Sequence, residues 1–394
     1  MIRTVQINGF KSIESTSVEL GRVNCFIGAN GVGKSNILEA IGVLGAAASG
    51  RVDDESLMRR GVRAGVPRLF KTSFEVGRTP SQIVLGALMD DKAEFRVSLL
   101  NPLENPHPAW TFKTEFLSDG VTPIVSRGVR TASTNLAETS GLAALKVVEL
   151  TSASPAARLI AMLQNYAIYC PNTPTLRGAA TDVQSRDPLG LSGGRLAEAF
   201  AEFQKSIQTS HDDEVFDSVL ELLDWVADID TTDVAGPLLS SAVPRSKLLL
   251  KFTDRFMKKS RNTLTAHDAS EGALYVLFTA LLCLSPAAPR LLAIDNLDQA
   301  LNPRLVTRLT SKLSYWLRKS GVERQLLFTA HNPAVLDGLD LSDEEVRLFA
   351  VERNSDGKTC LRRITLTEKL RALNKEYPLS RLWLMGNLGA LPNV

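Results

Sequence analysis

Cysteine is scarce: four occur in 394 residues, and Cys25, Cys170, Cys283 and Cys360 form no CxxC pair and have no histidine at ligand spacing. Neither a disulfide framework nor a zinc site is therefore indicated, and reduced thiols in the cytoplasm are expected. Net charge is scarce too, since 45 Lys and Arg against 43 Asp and Glu leave only +2. No whole-molecule field announces nucleic acid or an anionic membrane, and any such contact must be local. The longest apolar run, Ala273 to Leu284, falls well short of the roughly 20 residues of a membrane span and predicts a buried core helix, with no membrane partner. The opening "MIRTVQINGF" alternates like a strand and lacks the charged-then-apolar leader of a secretory signal. There is no fixed-period repeat, low-complexity tract or sustained heptad, which speaks against solenoids and long coiled-coil arms. No HxxxH or Ser-His-Asp arrangement suggests a second catalytic centre.

What is present is ordinary globular composition, 44% hydrophobic and 22% charged, in a chain long enough for two or three domains or one with an inserted lobe. Residues 1–45 read as two alternating strands, a buried strand "VNCFIG", a glycine-rich loop and an amphipathic helix. "RLFKTSFEV", "QIVLGALM", "AEFRVSLL" and "WTFKTEFL", bounded by turn residues, predict an antiparallel sheet. From about Leu142 the spacing becomes helical, as in "AARLIAMLQNYAIY" and "RLAEAFAEFQKSI". After Ala266 helices alternate again with buried strands. The expected division is a first part at 1–141, a helical lobe at 142–264 and a returning second part at 265–394.

"GANGVGKS", Gly28 to Ser35, matches GxxxxGK[ST] directly after an apolar strand and directly before a helix, the context that makes the pattern specific. Glycines let backbone N–H groups converge on phosphate oxygens, and the helix N-terminus adds a favourable dipole. Gly28, Ala29, Asn30, Gly31, Val32 and Gly33, with Lys34, Ser35 and Asn36, are the candidates for holding ATP. Lys34 is assigned to the β- and γ-phosphates and Ser35 to Mg2+. "LLAID" ends a buried strand on Asp295, a second candidate for the magnesium shell. "LLFTAH" ends another on His331, placed to donate to a γ-phosphate.

With these stretches together, the chain resembles the ABC-type ATPases of the RecF, SMC and overcoming-lysogenization-defect (OLD) group, in particular compact AAA-family ATPases of prokaryotic defence modules. The resemblance rests on "INGFKSIESTSVELGRVNCFIGANGVGKSNILEAI", "DASEGALYVL", "LLAIDNLDQALNP", "LLFTAHNPAVLD" and "LWLMGNLGALPN". It implies an α/β P-loop head with an antiparallel β subdomain and a helical lobe, and a homodimer or higher oligomer that sandwiches ATP. In that family a Ser-x-Gly signature reaches the partner's nucleotide from a helix leading into the Asp-bearing strand. Ser270 and Gly272 fit, because Ser270 lies 25 residues before Asp295, whereas Ser192 of "LSGG" lies 103 before it. "LSGG" is expected instead to form a turn at the start of "RLAEAFAEF".

The departure from the family is Asn296, where a glutamate commonly handles the attacking water. An amide cannot accept that proton at neutral pH. Asp298 either supplies the missing carboxylate or is a cap or turn residue, and Asn302 takes the position of the usual D-loop aspartate. The catalytic candidates are accordingly Asp295, Asn296, Asp298 and His331. Two basic stretches, Arg59 to Lys71 and Lys251 to Arg261, either track DNA phosphates or form solvated faces. The expected function is a slow Mg2+-dependent ATPase that controls a partner effector, a nuclease or toxin, in antiviral defence. The alternatives are a largely non-hydrolysing ATP-gated scaffold and a RecF-like DNA maintenance ATPase. OLD-type proteins add a Toprim nuclease, for which no room is expected after His331.

Overall fold

The computed structural model describes residues 1–75, 77, 79–128, 137–210, 213–233, 238–239, 243 and 247–389. Strands β1 (Ile2–Phe10) and β2 (Ile13–Glu19) form a hairpin, β3 (Val23–Ile27) runs into the phosphate loop, and α1 (Lys34–Ala48) and α2 (Asp54–Met58) follow. Next come β4 (Gln82–Met89), β5 (Glu94–Leu100), β6 (Thr111–Ser118), β7 (Pro123–Arg127), α3 (Leu142–Lys146) and α4 (Pro155–Asn165). Strand β8 (Ala167–Tyr169) precedes α5 (Thr173–Leu176), α6 (Leu196–Ser210) and α7 (Asp213–Leu220). The rest holds β9 (Val226–Thr232), β10 (Leu249–Asp254), β11 (Thr263–Thr265), α8 (Glu271–Leu284), β12 (Leu291–Ile294), α9 (Pro303–Lys319) and β13 (Gln325–Ala330). It closes with the hairpin β14 (Val346–Arg353) and β15 (Thr359–Ile364), then α10 (Glu368–Glu376) and α11 (Leu379–Leu384).

The sheet that positions the site runs β15-β14-β3-β13-β12-β8, parallel except for the antiparallel edge strand β15. Its central strands are covered on both faces, which is why they read as unbroken apolar runs. Alternation divides their side chains between two cores. Cys25, Ile27, Leu292, Ile294, Leu326 and Phe328 face the core built with α8 and α9, while Phe26, Ala293 and Leu327 face α1 and α4. α8 is buried from Ala273 to Leu284, as expected for the long apolar run. No helix among the described residues is long and apolar enough to cross a membrane.

The antiparallel sheet runs β2-β1-β4-β5-β6-β7. "RLFKTSFEV" contributes no strand to it, and its Val76 lies outside the described residues. Pro67 instead opens a single 3-10 turn, Pro67–Phe70, that drives the Phe70 ring into the core. The stretch 142–264 is mixed rather than helical throughout. α4 packs its apolar stripe on α1, and β8 adds to the parallel sheet beside β12. β9, β10 and β11 make a small antiparallel sheet of their own. The end of "LWLMGNLGALPN", residues 390–393, lies outside the described residues.

Candidate functional site

The loop after β3 turns through left-handed backbone at Gly28, where φ is 151°. A Cβ there would fall 2.1 Å from the Val351 carbonyl oxygen, so only glycine lets the loop lie against β14. Asn30 and Gly31 are exposed at the loop's apex, Ala29 and Val32 are half-buried, and α1 begins at Lys34. Lys34 is buried, and its Nζ donates to the carbonyls of Gly28 and Ala29 at 2.8 Å each. Burial pushes its ammonium down to about 8, against the pull of Asp295 and Asp298.

The Ser35 hydroxyl meets both oxygens of Asp295, at 3.0 and 2.9 Å. Parallel pairing of β12 and β13 with β3 brings these residues together across the sheet's C-terminal edge. Thr329 was not singled out in the sequence, yet its hydroxyl donates to Asp295 Oδ1 at 2.5 Å and accepts from the Asn296 N–H at 2.8 Å. A threonine, fully buried, near the end of the otherwise apolar "LLFTA" is the signal that marks it. Asn296 itself sits at φ 57°, a left-handed conformation that Asn tolerates better than Glu.

His331 closes the network. Its Nδ1 lies 3.2 Å from Lys34 Nζ and its Nε2 lies 2.9 Å from Asn296 Oδ1. A lysine ammonium only donates, so Nδ1 accepts and the ring hydrogen sits on Nε2, donating to the amide oxygen. Asp298 turns elsewhere: its Oδ2 accepts from the N–H groups of His331 and Asn332, at 2.9 and 2.6 Å. Its Oδ1 is buried without a hydrogen-bond partner among the described residues.

Residues 1–59 match a family model described as "AAA ATPase domain", and residues 192–337 match one described as "AAA domain, putative AbiEii toxin, Type IV TA system". An Smc head bound to the C-winged-helix domain of ScpA shares the fold at 13% identity and a TM-score of 0.56, covering 94% of this chain and 99% of that one. So does an Smc head with an extended coiled coil bound to the C-terminal domain of ScpA, derived from Pyrococcus furiosus, at 12% identity, a TM-score of 0.53, and 95% and 99% coverage. The chain thus carries two regions that match AAA-domain family models and shares the fold of Smc heads.

Ser270 caps α8, its hydroxyl accepting from Ala273 N at 3.4 Å. With Gly272, Trp225, Asn302 and Arg304 it lines a cavity of about 330 Å³ that contains no phosphate-loop residue. Gly272 lets α8 approach α9, since a Cβ would lie 3.2 Å from Leu305. Asn302 caps α9 through Leu305 N at 2.9 Å. "LSGG" is a turn whose N–H groups at Ser192 and Gly194 donate to Asp182 Oδ2, at 2.9 and 3.2 Å. An internal carboxylate already fills the place an incoming phosphate would need.

Beside the phosphate loop a second cavity of about 580 Å³ is lined by Lys11, Ser12, Asn36, Arg63, Phe70 and Arg353. Glu39, buried on α1, pairs with Lys11 and, at 2.6 Å, with Arg63 Nε, so two cations are held at this rim. A larger cavity, about 1000 Å³, lies away from this chemistry beside Met162 and Pro289. In the basic stretch 59–71 Arg60 and Lys71 are buried, Lys71 donating to the carbonyls of Ser81 and Asn101, while Arg59, Arg63 and Arg68 are exposed and Arg59 pairs with Glu55. Arg60 is buried on carbonyl partners, and burial drops its guanidinium to about 10.

Proposed function

We propose that the protein is a cytoplasmic, magnesium-dependent ATPase that hydrolyses slowly, closes as a pair of heads around ATP, and thereby controls a partner effector in prokaryotic antiviral defence. The observation that carries this is one network, Lys34–His331–Asn296 beside Ser35–Asp295, in which an amide occupies the place of the family's carboxylate. Ser35 and Asp295 are hard oxygen donors facing each other, which fits magnesium. Among the described residues no cluster of three His, Cys, Asp or Glu could hold a metal, so such an ion would lean on nucleotide phosphates and water, as magnesium does. Bound there, it would neutralise charge on the β- and γ-phosphates.

The chain's own residues do the rest. Lys34 presents its ammonium at the loop, and His331, with its hydrogen on Nε2, can turn a donor toward a γ-phosphate. Asn296 orients that ring and takes no proton from water. Asp298 holds the two N–H groups after β13 and so sets His331, a positioning role. Ser270, remote from the loop of its own chain, would complete the site of a second copy. The toxin–antitoxin system in the second family description supports the effector reading, as do the ScpA domains on the similar Smc heads.

Light scattering with and without MgATP tests the closure. Wild type should shift to a dimer that Lys34→Ala and Ser270→Arg do not form; a species that stays the same size at saturating ATP would remove head pairing from the account.

A second reading, contact with nucleic acid, is favoured by the turn between β10 and β11. Residues 255–261 are all exposed, Phe256 by 77%, beside Lys258, Lys259 and Arg261. An aromatic among cations suits bases and phosphates. Binding of single-stranded DNA that weakens with salt and with Phe256→Ala would support it, and no binding at low salt would dismiss it.

A further inference from the structure

The phosphate loop is braced from outside by the hairpin β14–β15. Thr359, the first residue of β15, is only 5% exposed. Its backbone N–H donates to the Ser12 carbonyl at 2.7 Å, and its hydroxyl lies 2.7 Å from both Ser12 Oγ and the Val32 carbonyl oxygen. Asn36 Nδ2 donates to Ser12 Oγ, also at 2.7 Å.

Counting hydrogens orders these contacts. The Val32 carbonyl can only accept, so the Thr359 hydroxyl hydrogen goes to it. Ser12 must then donate to Thr359 Oγ1 while accepting from Asn36. The result is one directed chain, Asn36 to Ser12 to Thr359 to Val32, joining positions 347 apart in sequence.

Gly33 makes the approach possible. A Cβ on it would fall 2.3 Å from Thr359 Oγ1 and 2.8 Å from Ser12 Oγ. Because a trans peptide is planar, pinning the Val32 carbonyl toward Thr359 aims the Gly33 N–H the opposite way, away from Thr359. That N–H belongs to the donor set a phosphate loop offers.

We propose that Thr359 is a positioning residue for nucleotide: through Ser12 and Val32 it fixes the Val32–Gly33 peptide, so that ATP affinity depends on the C-terminal hairpin. The proposal rests on the reading of Gly28 to Ser35 as the ATP site, and it adds a residue that lies outside every motif of that site. Thr359→Val keeps the side chain's shape and removes its donor and acceptor, whereas Thr359→Ser keeps both.

ATP binding by titration calorimetry and ATPase kinetics on the full chain test it. Thr359→Val should raise Kd about tenfold, the scale of one lost hydrogen bond, with the loss falling on KM rather than kcat. Thr359→Ser should restore wild-type affinity. Ser12→Ala should weaken binding similarly, and the double variant Ser12→Ala/Thr359→Val should be no worse than either single change, because both cut one chain. If Thr359→Val does not fold, Ser12→Ala with Thr359→Ser carries the test. Wild-type Kd in Thr359→Val, a loss confined to kcat, or failure of serine to rescue would overturn the proposal alone. A wild type that binds no ATP would overturn the ATP reading and this proposal together.

Discussion

His331 donates through Nε2 to Asn296 Oδ1 at 2.9 Å while its Nδ1 accepts from Lys34 at 3.2 Å. The contact with Lys34 requires a neutral ring, since a protonated one has no acceptor. Burial first, and Lys34 second, hold its pKa below the ordinary 6.5. The native state therefore favours the neutral form: the stabilisation is complete above the ordinary value and is lost as pH falls through the lowered one. In a wild-type NMR titration His331 should protonate below pH 6.5. In Asn296→Asp, which tolerates the left-handed backbone, a carboxylate at the ring should raise the midpoint. An unchanged midpoint would mean that the pair does not set the ring's charge.

Lys34 predicts a second pH dependence. Nucleotide phosphates favour the ammonium, whose pKa in the free protein is pushed down to about 8 by burial. Above about pH 8 binding must take up a proton, so ATP affinity should decline there, and the decline should vanish in Lys34→Ala. Affinity that is flat from pH 7 to 9 in wild type would contradict this.

Asp298 separates a base from a positioning group. Its Oδ2 holds two N–H groups, which an asparagine amide oxygen can also accept. Asp298→Asn should keep most phosphate release, while Asp298→Ala should lose it and cost about 1–3 kcal/mol of stability for the abandoned donors. Equal loss in both variants would restore the carboxylate as a base.

Completion of each site by a second copy has its own test. Lys34→Ala and Ser270→Ala should each be inactive alone, yet a mixture should recover activity, because a mixed pair holds one site with both residues intact. No recovery at any mixing ratio would place Ser270 outside the site.

Some of this was legible from residues alone. The phosphate loop, the aspartate ending "LLAID" and the buried helix at Ala273 to Leu284 are local patterns, and local patterns survive without a fold. Contacts between distant positions were not legible. Thr329 beneath Asp295, Glu39 between Lys11 and Arg63, and Thr359 on Ser12 depend on strand order and register, which no single stretch encodes. "RLFKTSFEV" alternates as a strand would, but Pro67 redirects it. β8 sits at the end of a helical pattern, and only its pairing with β12 reveals it as a strand. In the basic run 59–71 nothing in composition separates the buried Arg60 and Lys71 from the exposed Arg59, Arg63 and Arg68.

Steady-state phosphate release tests the central claim of the proposed function, that the protein hydrolyses ATP slowly because Asn296 stands where a base is expected. Wild type should release phosphate above the Lys34→Ala background in magnesium and fall to that background in EDTA. Asn296→Glu should be faster by about a hundredfold, the low end of what a positioned base contributes. Wild-type release equal to the Lys34→Ala background, or Asn296→Glu no faster than a well-folded wild type, would contradict the account.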